Sequence, residues 1–141
     1  MERDEEDHII RVCHDLIVQY SHFADLGELH RIPELFTQDG IWTIPTEERI
    51  GQAALRARFE GASGAARITS HICSNIRVEV KSSVEATSTA YFLVFGHEGE
   101  SPRPAPVALP KTVGVYRDRF VVTDDGWRFA ERHCTYSFAS L

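Results

Sequence analysis

Two residues far apart in the sequence could cooperate in proton transfer. Asp25 lies at the end of a predicted helix, close to its apolar face, where a carboxylate is costly unless a partner shares its charge. His71 lies in the middle of a predicted strand, among isoleucines and serines. An aspartate bonded to one imidazole nitrogen fixes the tautomer and leaves the other nitrogen to take a proton. The pair therefore predicts a general base; alternatively, Asp25 bonds backbone groups at the helix end and His71 is a satisfied core histidine.

Motifs for other kinds of chemistry are absent from the sequence. It contains no glycine-rich phosphate loop, no dinucleotide fingerprint, no H-E-x-x-H and no G-x-S-x-G. Cys13, Cys73 and Cys134 have no C-x-x-C spacing and are odd in number, so the sequence predicts neither a zinc site nor a disulfide framework. We expect no metal and no cofactor, and a reducing cytoplasm as the location.

Composition and charge limit the classes of partner. The 141 residues, 43% hydrophobic and 26% charged, predict one domain spanning residues 1–141. The net charge is −6, and residues 2–7 carry five acids and one base, or −4, which leaves −2 for the rest. This balance argues against binding to nucleic acid or to an anionic membrane surface. No apolar run approaches the ~20 residues of a membrane span, so we expect no membrane association.

Helices are predicted in the first half of the chain. Apolar residues at spacings of three and four predict an amphipathic helix from about Asp7 to Asp25, and its acidic start suits the helix dipole. A shorter helical stretch is predicted around residues 29–36. A third helix is predicted over about residues 52–60, ended by the small residues at 61–64.

The rest of the chain has the period of β-strands. Residues 37–40 are predicted as a turn before a short strand at 41–44. Polar and apolar residues then alternate from Ile68 to Val80, which puts three polar side chains on one face: His71, Cys73 and Asn75. Further long strands are predicted over about 85–97, 112–122 and 127–137, the last two joined by an Asp-Gly turn.

These elements predict an α+β domain in which helices pack on one face of a curved sheet. The concave side of such a sheet can line a pocket for a hydrophobic small molecule. Residues 98–110 hold four of the six prolines and are predicted as a long loop, which affects whether the pocket is open or closed.

The order of several short motifs is typical of one family. These motifs are Tyr20-x4-Asp25, Leu35-Phe36-Thr37-x-Asp39-Gly40-x-Trp42, Gly51 at the start of a helix, Ser70-His71-x3-Asn75, Gly114-x-Tyr116-x-Asp118 and Gly126-Trp127-Arg128-x3-Arg132. Over almost its whole length the chain resembles the SnoaL-like branch of the nuclear transport factor 2-like superfamily. The resemblance implies a cone-shaped α+β barrel, with N-terminal helices packed on a strongly curved, mixed, mostly antiparallel sheet around a deep pocket. It also implies a homo-oligomer, either a dimer or a trimer.

The resemblance further implies a role for four residues. Asp25 and His71 resemble the aspartate–histidine dyad of scytalone dehydratase, bile-acid 7α-dehydratase and hexachlorocyclohexane dehydrochlorinase, which catalyse eliminations without a cofactor. Tyr20 and Arg132 resemble further catalytic residues of the bile-acid enzyme. Arg128 and Arg132 share one predicted strand face, and a structural ion pair with Asp118 is expected for at least one of the two. The lysine that the dehydrochlorinase carries in its first helix has no counterpart here, which argues against dehalogenation.

Further residues are expected to contact the substrate, namely Trp42, Cys73, Asn75, Phe95 and His97. Trp42 resembles a pocket residue of the dehydrochlorinase. His97 resembles the second histidine of scytalone dehydratase, and a histidine at the strand end without a role in the pocket is the alternative. Cys73 and Asn75 share the predicted strand face of His71. Phe95 is expected in the pocket wall, and core packing is an alternative for Cys73.

The resemblance therefore implies a cofactor-independent lyase of dehydratase type, acting on a hydrophobic cyclic or polycyclic carbonyl compound. His71 would remove the proton next to the carbonyl, and Asp25 would hold His71. Tyr20 would donate a hydrogen bond to the oxygen where enolate charge develops, and Arg132 would either assist it or bind a substrate anion. One alternative is a ketosteroid-isomerase-like double-bond isomerase, which shares the first step. Another is a noncatalytic small-molecule-binding or assembly protein, such as a module like the β subunit of a dioxygenase.

Overall fold

The computed structural model of the chain describes residues 1–62, 66–106 and 108–140. In chain order the elements are helix α1 (Arg3–Asp25), a 3-10 helix (Leu29–Leu35), strands β1 (Phe36–Ile44) and β2 (Glu47–Ile50), helix α2 (Gln52–Ala62), and strands β3 (Arg67–Val80), β4 (Glu85–Glu98), β5 (Thr112–Thr123) and β6 (Gly126–Ala139). The predicted end of the third helix at residues 61–64 falls partly on residues outside the described ranges.

The six strands form one mixed sheet in the order β2-β1-β6-β5-β4-β3. Strands β1 and β6 are parallel, and every other neighbouring pair is antiparallel. Helix α1 packs against β3 and β6, and α2 packs against the 3-10 helix and β1. The predicted α+β class is confirmed. The sheet is open, because β2 and β3 are its two edges and are not paired with each other.

Helix α1 begins four residues earlier than the apolar pattern predicts. Asp4, Glu5 and Glu6 lie in its first turn, where the unpaired backbone N–H groups favour negative charge. Its buried side chains recur at helical spacing and include Ile9, Cys13, Leu16, Ile17, Tyr20 and Ala24. This stripe sets the rotation of the helix and places Tyr20 and Asp25 at its sheet-facing end.

The prediction of a turn at residues 37–40 is wrong, because these residues belong to β1. Gln52 Nε2 on α2 donates hydrogen bonds to the carbonyl oxygens of Pro33, Phe36 and Thr37 at 2.8, 3.1 and 3.2 Å. The register of β1 against β6 shifts between Phe36 and Ile41. The polar residues therefore form an irregular stretch of strand without reversing the chain.

Strand β2 was not predicted from the sequence. It pairs with β1 from Ile41↔Ile50 to Ile44↔Glu47, so the chain reverses at Pro45 and Thr46. Its four residues are mostly charged, as is common for short edge strands, and they give no apolar alternation to detect. The four long strands are confirmed to within two residues at each end.

The predicted alternation along β3 is interrupted at Asn75. This residue has a φ of 53°, and the register against β4 shifts between Ser74 and Arg77. An extra residue of this kind moves later side chains to the opposite face. Ile72, before the irregularity, is exposed, and Ile76, after it, packs against the core. Asn75 is exposed at the irregularity itself and does not continue the alternation of His71 and Cys73, which corrects the predicted regular pattern.

The core lies between the helices and the inner face of the sheet. It includes Ile17, Phe36, Leu55, Phe120 and Phe129, all at most 4% exposed. Among the described residues, no helix combines the length and apolar character needed to cross a lipid bilayer.

Candidate active site

Asp25 and His71 are in direct contact. The Nδ1–H of His71 donates to Asp25 Oδ1 at 2.6 Å, and the backbone N–H of the same histidine donates to Asp25 Oδ2 at 2.8 Å. Thr69 Oγ1 donates a third hydrogen bond, to Asp25 Oδ1, at 3.0 Å. The two side chains are 22% and 16% exposed, so the pair lies at the boundary between core and solvent. These hydrogen bonds fix the orientation of the His71 ring. Its other nitrogen, Nε2, is not bonded to Asp25.

The contact follows from how α1 meets β3. Asp25 is the last residue of α1, and β3 packs along that helix. Thr69 and His71 are two positions apart on β3, so both point to the face that α1 covers. The end of α1 thus places the Asp25 carboxylate beside donor groups of Thr69 and His71. These hydrogen bonds offset the cost of burying the carboxylate.

His71 lines a cavity of about 200 Å³ between the helices and the inner face of the sheet. Its wall combines residues of α1, the 3-10 helix, α2 and five of the six strands. Apolar and aromatic members of the wall include Leu29, Ile32, Phe59, Phe92 and Val94. A largely apolar cavity with a few placed polar groups is the usual form of a small-molecule site.

Tyr20 and Trp42 both line this cavity and are bonded to each other. Trp42 Nε1–H donates to Tyr20 Oη at 3.1 Å. Since the phenol oxygen accepts this bond, its own hydrogen remains available for a second partner. Burial raises the pKa of Tyr20 above its ordinary value, so the phenol stays protonated at neutral pH. Tyr20 can therefore act as a hydrogen-bond donor toward a bound molecule.

Arg132 is fully buried and does not line the cavity. Its Nε donates to Asp118 Oδ1 at 3.0 Å, so the predicted ion pair is confirmed. The guanidinium carbon lies 3.6 Å from the ring centre of Tyr116 and 4.2 Å from that of Tyr20. Burial alone would lower the pKa of Arg132, but the nearby Asp118 carboxylate raises it above the ordinary value, and the group stays cationic. The Arg132 guanidinium thus lies behind Tyr20 and Tyr116, which both line the cavity.

The structure places Cys73 and Asn75 in a different depression, between α1 and β3. Both line this depression together with His71, whose ring borders it as well as the cavity. The Sγ of Cys73 lies 3.4 Å from Ser21 Oγ on α1. Neither Cys73 nor Asn75 is among the residues that line the cavity.

Phe95 and His97 lie on the opposite face of β4 from the cavity-lining Phe92 and Val94. They border a separate depression of about 340 Å³ that residues 103–106 also line. This part of the long 98–110 loop is therefore beside the outer face of the sheet. Residue 107 lies outside the described residues.

Charged residues that sequence reasoning did not select also line the cavity. They are Arg58 on α2, Arg67 on β3, Glu98 on β4 and Lys111 just before β5. Tyr116, quoted above only as part of a motif, lines it too. The face of β3 that carries His71 could have indicated Arg67, four residues earlier. Arg58 gave no such signal, because its place in the cavity depends on the docking of α2.

Among the described residues, no group of three or more histidine, cysteine, aspartate or glutamate side chains is arranged to hold a metal ion. The polar groups of the cavity are suited to proton transfer and to hydrogen bonding with a small molecule.

The chain matches the model of a known protein family. The family model described as a SnoaL-like domain matches residues 8–133. The chain belongs to this family. The match of this SnoaL-like domain includes Asp25, His71 and every residue named above in the cavity wall. No curated protein sequence matches the chain.

Solved structures share the fold of this SnoaL-like domain at low sequence identity. A candidate scytalone dehydratase from Novosphingobium aromaticivorans DSM 12444 is 23% identical, with a TM-score of 0.83 over 97% of this chain and 89% of that one. LinA is 16% identical, with a TM-score of 0.81 over 98% and 92%. The β subunit of a candidate aromatic-ring-hydroxylating dioxygenase, also from Novosphingobium aromaticivorans DSM 12444, is 17% identical, with a TM-score of 0.78 over 96% and 94%. A nuclear transport factor 2-like protein with a cystatin-like fold is similar as well. These similarities establish the fold.

Proposed function

We propose that this SnoaL-like domain is a cofactor-independent lyase of dehydratase type, acting on a hydrophobic cyclic carbonyl compound. The observation that carries the proposal is the contact of Asp25 with both the ring and the backbone of His71, at the wall of an apolar cavity. A histidine held in this way has its second ring nitrogen ready to accept a proton from carbon.

The proposed reaction is an elimination. His71 Nε2 takes the proton from the carbon next to the carbonyl, and the electron pair of that C–H bond forms the enolate. The enolate then collapses, the C–O bond to the β-hydroxyl breaks, and a C=C bond forms. His71 returns the proton to the departing hydroxide, which leaves as water. Asp25 stabilises the transient imidazolium by charge and by its two hydrogen bonds.

Tyr20 and Arg132 have different roles in this proposal. Tyr20 donates its free hydrogen to the enolate oxygen as negative charge develops there. Arg132 acts as a positioning residue, because its guanidinium lies 4.2 Å from the Tyr20 ring centre without reaching the cavity. Its permanent charge favours negative charge near the phenol. Trp42 orients Tyr20 through the indole N–H.

The five residues predicted to bind substrate lie at different surfaces of the protein. Trp42 lines the cavity and contacts the substrate directly. Cys73 and Asn75 border the far side of His71, and Phe95 and His97 lie on the outer face of the sheet. We therefore propose direct substrate contact for Trp42 alone among the five.

The two alternatives predict different observations. A noncatalytic module, such as a dioxygenase β subunit, does not require Asp25 and His71 to touch, and their 2.6 Å contact supports an enzyme. A double-bond isomerase uses the same dyad and the same enolate. In that reaction His71 returns the proton to a different carbon, and no water is lost.

We also propose that the protein is a homo-oligomer formed through the outer face of the sheet. Ile72, Leu93, Val113 and Phe138 are in register across β3, β4, β5 and β6 and form one apolar row. Ile72 is 48% exposed and Phe138 is 72% exposed. A second copy of the chain would remove this row from water.

Light scattering tests the proposed oligomer. It should give a multiple of 15.9 kDa for the wild type and a smaller mass for Phe138→Asp, whereas the matched control Val122→Asp should have the mass of the wild type. A monomeric wild type would contradict the proposal.

The reaction class is tested with two small ketones. 3-Hydroxycyclohexanone gives 2-cyclohexenone by loss of water, and 3-cyclohexenone gives the same product by isomerisation. We expect wild-type protein to accelerate the first conversion and His71→Ala to lose at least about 100-fold, the lower range for general acid–base catalysis. Acceleration of the 3-cyclohexenone conversion without acceleration of the 3-hydroxycyclohexanone conversion would favour the isomerase. Equal rates for wild type and His71→Ala with both ketones would contradict both enzyme readings.

A further inference from the structure

We propose that the substrate carries an anionic group and that Arg67 binds this group. The inference rests on the proposed function, since it concerns the same cavity, and it narrows the class of carbonyl compound. It rests on a cationic side chain in the cavity wall that forms no direct ion pair with any of the described residues.

Cationic groups outnumber carboxylates in the wall of the cavity. Arg58, Arg67 and Lys111 line it, and Glu98 is the one carboxylate among the described lining residues. Two of the cations have carboxylate partners. Arg58 Nε donates to Glu47 Oε1 at 2.7 Å, and Lys111 Nζ donates to Glu98 Oε1 at 2.8 Å.

Arg67 differs from these two cations. It is half-buried at the start of β3, and within the described part of the chain it forms no ion pair. Glu98 is its cross-strand neighbour in β4 and interacts with it electrostatically, but the Glu98 carboxylate is hydrogen-bonded to Lys111 and forms no direct ion pair with Arg67. Asp25 shares a small adjoining pocket with Arg67, but both Asp25 oxygens are engaged by Thr69 and His71.

A half-buried guanidinium without a direct ion pair has lost part of its hydration, and its electrostatic interaction with Glu98 replaces none of the lost hydrogen bonds. Its planar N–H groups match a carboxylate in a bidentate arrangement, and this geometry favours a carboxylate or a similar oxyanion as the ligand. An anionic substituent on the substrate would supply the missing partner.

The spacing of Arg67 and His71 sets the shape of that substrate. Both side chains line the cavity from β3, and four steps along the strand separate their Cα atoms by about 13 Å. The anionic group and the reacting carbon therefore lie at different ends of the molecule. The cavity of about 200 Å³ is smaller than the roughly 300–1,000 Å³ of sites for drug-sized ligands. The substrate class is a carbonyl compound of one or two rings bearing a carboxylate or comparable anion.

Two probes of nearly equal shape test this inference by isothermal titration calorimetry. 2-Naphthoate carries a carboxylate, and 2-naphthamide replaces it with a neutral amide. We expect wild-type protein to bind 2-naphthoate about tenfold more tightly, which is the effect of one charge-assisted hydrogen bond. Arg67→Gln should remove that preference and leave 2-naphthamide binding unchanged. Arg77→Gln, the same change at an exposed position of β3, is the matched control and should bind both probes as wild type does.

Two further measurements keep the test decisive. Arg67→Lys retains the charge and should retain part of the preference, while added salt should weaken binding of 2-naphthoate to the wild type and leave 2-naphthamide unaffected. Equal affinities of the two probes for wild type would overturn the inference. So would an equal loss of both in Arg67→Gln, or a failure of 2-naphthoate to bind. These results are separable from the proposed function, because the ketone conversions use neutral compounds and depend on His71.

Discussion

The indole N–H of Trp42 donates to the phenol oxygen of Tyr20 at 3.1 Å, and both rings line the cavity that contains His71. Accepting this bond polarises the phenol and leaves its hydrogen free, since hydrogen bonds in a chain strengthen one another. The geometry therefore prepares Tyr20 to donate a hydrogen bond before any substrate arrives.

Tyr20→Phe should slow the proposed reaction without disturbing the fold. It deletes the donor to the developing oxyanion, for which losses of about 10²–10³ in kcat are typical. Trp42→Phe removes only the orienting bond and should cost less than Tyr20→Phe. Kinetics with 3-hydroxycyclohexanone check both variants. A Tyr20→Phe enzyme as fast as wild type would show that the phenol has no part in the chemistry.

Arg132 should be a major determinant of stability. Its charge is fully buried and paired with Asp118, and removing one partner of such a pair typically costs about 3–5 kcal/mol. Arg132→Met should therefore lower the free energy of unfolding by about that amount, as measured by urea denaturation. Arg117→Met, at an exposed position of β5, should change it by less than about 0.5 kcal/mol. Similar values for the two variants would contradict the account of the buried pair.

The backbone of β5 passes very close to β6 at Gly114. A Cβ at this position would overlap the carbonyl oxygen of Thr135 and would come within 2.9 Å of the Phe92 ring. Gly114→Ala should therefore be strongly destabilising in thermal or urea unfolding. Gly61→Ala is the control, because a Cβ there meets nothing within 4 Å and alanine favours the helix by roughly 0.5–1 kcal/mol. A tolerated Gly114→Ala would show that the strands are less closely spaced than described.

The three cysteines should differ in reactivity. Burial, with a smaller contribution from the Asp118 carboxylate, raises the pKa of Cys13 to about 12, and burial raises the pKa of Cys134 to about 12. At pH 8 only about 10⁻⁴ of either thiol would be the reactive thiolate. Cys73 is half-buried, so iodoacetamide should modify it first in the folded protein, as mass spectrometry would show. Modification of Cys13 or Cys134 before Cys73 would contradict this order.

Local patterns predicted the elements that follow a regular period. The apolar stripe of α1 and the alternation of the long strands each report burial of one face, so their bounds were close to those observed. Strand β2 was missed because it depends on pairing with β1, and the irregular start of β1 because it depends on contacts with Gln52; neither leaves a period in the sequence. Residues 37–40 have a local preference for a turn, which the pairing of Phe36 and Ile41 with β6 on either side of them overrode.

Part of the candidate site was also predicted from the sequence. The cost of an unpartnered carboxylate at a helix end made His71 a candidate partner for Asp25, the family resemblance favoured this pairing over a structural role for each residue, and the structure brings them together. Asn75 was misplaced because a single inserted residue changes which side of β3 its neighbours face. The burial of Arg132 and the cavity position of Arg67 depend on how strands and helices pack, which no local pattern of residue types reports.

The most direct test of the dyad is exchange of carbon-bound hydrogen with solvent. 1-Tetralone in D₂O, followed by proton NMR at the carbon next to its carbonyl, reports proton abstraction alone and requires no elimination. Wild-type protein should accelerate the exchange over buffer, whereas His71→Ala and Asp25→Asn should each lose at least about 100-fold of that acceleration. Thr89→Val, an exposed position on the outer face of β4, should exchange as wild type does. Exchange by wild type no faster than by His71→Ala or Asp25→Asn would contradict the assignment of this pair as the general base.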